Sequence, residues 1–219
     1  MRWLFDFLNS SIGKKVTVGL AGLFLCGFLV PHLCGNLILF LGMAPFNAYA
    51  HFLQKNPLTP LAELGLLALF LLHAIVTLYA RWQNWQARPV AYEMVVSKGG
   101  RTIGSRTMIY TAFIVLGFLV VHVAMFKYGV GSAIKDDAML FERVMGFFQN
   151  PWIASCYVLA LAGLGLHLSH GFESAFQTLG VNHPKYTPLI KAVGLLFAIA
   201  VAGAFAAIPI WACFLGGAR

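Results

Sequence analysis

The sequence predicts an all-α integral membrane bundle of five transmembrane helices, with the N-terminus cytoplasmic and the C-terminus outside. Three observations carry that prediction. Of 219 residues, 60% are hydrophobic and only 10% charged, more apolar surface than the core of a water-soluble domain of this size can hide. Five windows reach the roughly 20 mainly apolar residues that a span requires. Lysine and arginine divide unequally between the two ends of those windows.

The first span covers 16–43. It outruns the apolar region of a secretory signal, contains His32 and Asn36, and is followed by no small-residue cleavage site, so it is retained as a helix. The others cover 61–81, 107–126, 152–176 and 188–215. The chain reads as a single membrane domain, 1–219, without internal repeats or low-complexity tracts. The loops near 98–105 and 129–149 are its only sizeable extramembrane pieces.

Charge orients the bundle. Arg2, Lys14, Lys15, Arg81, Arg88, Lys98, Arg101, Arg106, Lys185 and Lys191 fall on one side. Lys55, Lys127, Lys135, Arg143 and Arg219 fall on the other, together with Asp136, Asp137 and Glu142. The richer side is cytoplasmic by the positive-inside rule. The net charge of +8 is therefore mainly topology. Basic residues at helix ends do not make the soluble basic face of a nucleic-acid binder.

His32, His73, His122 and His170 lie one in each of the first four spans. Ionisable groups in hydrocarbon are costly and mark a pathway, a proton relay or a bound cofactor. Successive spans run in opposite directions, and all four histidines come late in theirs. His32 and His122 thus share the outer half, and His73 and His170 the inner half. At about 1.5 Å per residue, His32 lies roughly 24 Å from the inner end of its span and His73 about 12 Å from its own, giving two layers about 10 Å apart. One imidazole from each of two helices per layer is what two six-coordinate haems stacked across a membrane require. Histidines of a transporter or proton pathway, or histidines bonded between helices for structure alone, are the competing readings.

The remaining histidines test the assignment. His51 and His183 fall in loops. His167 precedes His170 by one helical turn on nearly the same face, but nearer the midplane, so His170 is the expected partner of His73 and Gly171 leaves room beside it. His167 is expected to hydrogen-bond beside the haem or to face the gap between the two haems, without ligating either. The four cysteines, Cys26, Cys34, Cys156 and Cys213, form neither C-x-x-C nor C-x-x-C-H patterns. Any haem here is therefore of the non-covalent b type, and the cysteines act as small apolar residues.

Several segments carry a family resemblance over nearly the whole chain: SSIGKK at Ser10 to Lys15, GLFLCGFLVPHLCGNL around His32, LLHAIVTLYARW around His73, GFLVVHVAMF around His122 and HLSHGFESAFQTLG from His167 to Gly180. The chain resembles the cytochrome b membrane-anchor subunit of succinate dehydrogenase and fumarate reductase, in its five-helix, two-haem, single-polypeptide form. The resemblance implies two haem b groups, on His32 with His122 and on His73 with His170. It further implies a bacterial cytoplasmic membrane, and cytoplasmic partners in the form of a flavoprotein with FAD and an iron–sulfur subunit. The chain would be the quinone-reactive subunit of that enzyme, with menaquinone the expected quinone. This sequence has no dinucleotide fingerprint and no cysteine cluster, so FAD, the iron–sulfur clusters and the dicarboxylate chemistry belong to partners. In some of these enzymes a glutamate precedes the fourth-helix ligand by two residues and serves proton movement; Leu168 stands there instead.

Haem propionates need cationic or hydrogen-bonding partners at the membrane edge. Lys14, Thr17, Arg81, Ser105 and Arg106 are the candidates for the inner haem. A quinone site needs an apolar slot with one or two polar groups. Asn36, His51, Gln54 and Glu63 are its outer candidates, and Ser11, Trp82 and Arg106 its inner ones. Glu173 reads as an interfacial carboxylate. A hydrogenase or formate dehydrogenase anchor and a haem-free transporter are the alternative functions.

Overall fold

The computed structural model describes residues 2–87 and 102–216, and all regular structure among them is helical. Arg88, Lys98, Arg101 and Arg219, counted above for topology, lie outside the described residues. The α-helices are α1 (Arg2–Asn9), α2 (Ser11–Leu37), α3 (Met43–Lys55), α4 (Thr59–Gln86), α5 (Ile103–Phe126), α6 (Leu140–Phe148), α7 (Pro151–Thr178) and α8 (Thr187–Phe214). A 3-10 turn, Ile38–Leu41, prolongs α2. Five of these helices, α2 with its turn, α4, α5, α7 and α8, are long and apolar enough to cross a membrane.

Local chemistry sets their ends. The Ser10, Thr102 and Asn150 side chains accept hydrogen bonds from Gly13, Ser105 and Trp152 amides, capping α2, α5 and α7. These caps satisfy amides that the helix itself leaves unpaired. Proline occupies the first turn of α4, α7 and α8, where its missing N–H costs nothing. Helix α4 runs five residues past the expected end at Arg81, because no glycine or proline interrupts the chain before Pro89.

Three shorter helices occupy segments expected as loops. The turn into α3 is made at Gly42, whose φ of 103° is a backbone conformation that glycine adopts without a Cβ clash. In α1, Arg2, Asp6 and Asn9 share one face, while Trp3, Leu4, Phe5, Phe7 and Leu8 expose an apolar one.

Helix α7 is the hub. It packs most extensively on α8 and also on α5 and α2, while α4 packs on α2. Leu161, Leu164 and Leu168 of α7 bury against Ala198 and Val201 of α8. A second cluster closes one end of the bundle, joining Leu39, Phe46, Val144, Met145, Phe148, Tyr157, Ile208 and Ala212. The packed neighbours thus run α4, α2, α7, α5. Neither diagonal of this group, α2 with α5 or α4 with α7, forms a comparable backbone contact. Helix α4 buries no residue, and α5 buries only Gly104 and Thr111.

Candidate functional site

Two histidine pairs bridge those diagonals. His32 of α2 faces His122 of α5 with ring centroids 5.9 Å apart and planes at 86°. Apolar rings box this pair: Phe28 stacks on His32 at 5.1 Å, Phe205 approaches it from α8 at 5.5 Å, and Phe118, Phe126 and Tyr157 surround His122. The Asn36 amide donates to the His32 backbone carbonyl at 2.8 Å and lies 3.4 Å from its Nδ1. Nδ1 of His122 is buried without a hydrogen-bond partner, the only such side-chain atom among the described residues. Such an orphan is uncommon, since buried polar groups are normally paired.

The other diagonal is spanned by His73 of α4 and His167 of α7, with centroids 6.5 Å apart and planes at 71°. Polar neighbours reach Nδ1 of both rings. Nδ1 of His73 lies 3.2 Å from the Val18 carbonyl. A carbonyl can only accept, so Nδ1 carries a proton, and in the neutral ring Nε2 keeps its lone pair. Nδ1 of His167 lies 3.4 Å from Oγ1 of Thr111, whose own hydrogen points to the Met108 and Thr107 carbonyls at 3.0 and 3.2 Å. With that hydrogen on a carbonyl, the threonine oxygen is left to accept from Nδ1 of His167, the arrangement in which a neutral ring keeps its Nε2 lone pair.

The ring opposite His73 is thus that of His167, and the expectation that His170 shares its level is corrected. The error lay in the helix end used for counting: α4 continues to Gln86, which sets His73 about 20 Å from that end instead of 12 Å. The layer spacing changes accordingly. Gly22 on α2 abuts His73, and Thr111 on α5 abuts His167. Gly22 lies ten positions before His32 and Thr111 eleven before His122, so the two histidine pairs are about 15 Å apart along the helices. His170 turns toward α5, where a Cβ on Gly104 would come within 3.0 Å of its own Cβ.

The remaining candidates scatter. Lys14 donates to Gln83 at 2.7 Å and sits 4.8 Å over the Tyr79 ring. Thr17 and Ser105 donate to the carbonyls of Gly13 and Thr102, so their hydrogens are spent locally. Arg81, Arg106, Ser11 and Trp82 are exposed. Asn36 is held by His32, Gln54 donates to the Asp137 carbonyl at 2.9 Å, and Glu63 pairs with Lys127. His51 of that outer group lines a cleft, an open one of about 510 Å³ with Phe52, Lys55 and Pro57. Glu173 pairs with Lys191 at 3.1 Å and accepts from Gln177. The four cysteines are free.

Three contributors were invisible in the sequence. Gly22 lets His73 approach α2: a Cβ there would sit 3.2 Å from Cε1 of the ring. Thr111 orients His167. Arg143, 1% exposed, bonds the carbonyls of Phe126, Ile134 and Lys135 and pairs with Asp137 at 2.9 Å, tying the 127–137 loop to the end of α5. For Gly22 the only signal was a glycine ten positions before His32.

Comparisons of the chain with family models, with curated proteins and with solved structures find no match.

Proposed function

We propose that the chain is the dihaem cytochrome b anchor of a succinate dehydrogenase or fumarate reductase, carrying electrons between a membrane quinone and an iron–sulfur partner. The observation that carries this reading is the pair of imidazole bridges across helices whose backbones make no extensive contact. With a metal–nitrogen bond of about 2 Å to each ring, an iron held between two imidazoles would set their centroids roughly 6 Å apart. Both bridges lie near that separation. No third His, Cys, Asp or Glu joins either pair among the described residues. Two imidazoles alone suit haem, whose macrocycle supplies the equatorial ligands, and not a bare ion that needs three or four protein donors.

Haem supplies one-electron redox chemistry when bound. The chain supplies the rest. His32 and His122 hold one position, and His73 and His167 the other. The Val18 carbonyl and the Thr111 hydroxyl fix the ring orientations of the second pair, as hydrogen-bonding partners of ligating histidines generally do. Phe28, Phe118, Phe126 and Phe205 keep the first pair in apolar surroundings, which exclude water and tune potential. A spacing of about 15 Å between layers sets two positions in series across the bundle. The charge bias supports a cytoplasmic N-terminus, and the family resemblance implies a bacterial inner membrane with the flavoprotein and iron–sulfur subunits on that face.

The test is purification from native membranes with its partners. A reduced-minus-oxidised b-type spectrum, together with co-purifying flavin and iron–sulfur subunits, is the expected result. A haem-free chain points to a transporter, and hydrogenase or formate dehydrogenase partners point to a different respiratory complex; either outcome overturns the proposal.

A further inference from the structure

Thr111 is 3% exposed and, with Arg143, one of two buried polar residues among the described residues. Its burial is not explained by helix formation, because a threonine in a spanning helix satisfies its hydroxyl hydrogen on its own backbone. That is done here through the Met108 and Thr107 carbonyls. The oxygen lone pairs remain, and one of them faces Nδ1 of His167 on α7. Both carbonyls, at 3.2 and 3.0 Å, are nearer to the hydroxyl than Nδ1 at 3.4 Å; with the hydrogen on a carbonyl, Thr111 meets His167 as an acceptor. No other side chain hydrogen-bonds the His167 ring among the described residues. Gly104 lies two turns earlier on α5, where a Cβ would meet the Leu166 carbonyl oxygen of α7 at 3.1 Å. That close approach of the two backbones brings the short threonine side chain within reach of the ring.

We propose that Thr111 is a positioning residue that selects the Nδ1-protonated form of His167 and so presents Nε2 as the ligating atom of the inner pair. This rests on the haem reading above for its redox consequence, but not for the tautomer itself. A donated Nδ1–H makes an imidazole more basic and more electron-donating. Removing the acceptor weakens haem retention and favours the reduced iron.

The experiment compares wild type, Thr111→Val and Thr111→Ser in the intact complex, reading haem content, the midpoint potential of each haem and the low-spin ferric EPR signature. Valine keeps the shape and deletes the acceptor. The expected result is an inner haem retained about 10-fold less tightly or raised in potential, an unchanged outer haem, and recovery in the serine variant. An inner haem with wild-type content, potential and EPR signal in Thr111→Val overturns the proposal. Nitrogen-15 NMR of the haem-free wild-type chain tests it separately. Nδ1–H on His167 is expected, and Nε2–H overturns the Thr111 role even if two haems bind. A wild-type complex that carries no haem would instead sink the function and leave the NMR result to judge Thr111.

Discussion

The imidazole of His73 on α4 reaches the backbone carbonyl of Val18 on α2 at 3.2 Å. The carbonyl of residue 18 normally bonds the amide four residues later in its own helix, and that residue is Gly22, the position lying flat against the same ring. One turn of α2 therefore provides both the acceptor and the space. The absence of a Cβ matters here because one would come within 3.2 Å of Cε1 of the ring, closer than ordinary van der Waals contact.

Gly22→Val should accordingly displace His73 and release the inner haem while leaving the outer one in place. Gly22→Ala, whose single methyl sits 3.2 Å from Cε1, should weaken it by a smaller factor. Haem content and split-band spectra of the two variants check this. Full haem loading in Gly22→Val would remove the close-approach argument.

Stoichiometry follows from there being two bridges. Two non-covalent b haems per chain are expected, both extractable with acid acetone, since no C-x-x-C-H motif offers a covalent link. A pyridine haemochrome count of one or none per chain contradicts the two-bridge reading.

The layers should come apart genetically. His32→Ala or His122→Ala should abolish the outer haem alone, and His73→Ala or His167→Ala the inner haem alone, because an iron deprived of one axial imidazole loses affinity in a site shaped for two. His170→Ala should retain both. Potentiometric titration of the five variants decides it, and loss of the inner haem in His170→Ala with retention in His167→Ala reverses the assignment.

Arg143 gives a stability prediction independent of any cofactor. Its guanidinium is buried and satisfies three backbone carbonyls and one carboxylate. Arg143→Met leaves those acceptors unmet and should cost about 3 kcal/mol, read as a lowered unfolding midpoint in detergent. An unchanged midpoint shows that the loop does not depend on this residue.

Much of the architecture was legible in the residues. Spans depend on the summed apolarity of about 20 consecutive positions, which neighbours in space do not alter, so the five long helices were found to within a few residues at most ends. The proximity of His32 and His122 was also readable, because both lie late in the first and third spans, which run in the same direction. The amphipathic helices α1, α3 and α6 were missed; they are too short to carry a span signal, and their order depends on packing at the bundle ends.

What the sequence by itself determined was therefore the all-helical class, the number of membrane-length helices and the candidate imidazoles within them. Only the tertiary structure decided which imidazole of the His167 and His170 pair meets His73. That choice turns on where α4 ends and how deeply α5 approaches α7 at Gly104, quantities of one helical turn or about 5 Å. Hydropathy cannot resolve a turn, since sliding a helix along its axis by that distance leaves its composition unchanged. Packing can, because a glycine, a threonine oxygen and a backbone carbonyl each fit only one register.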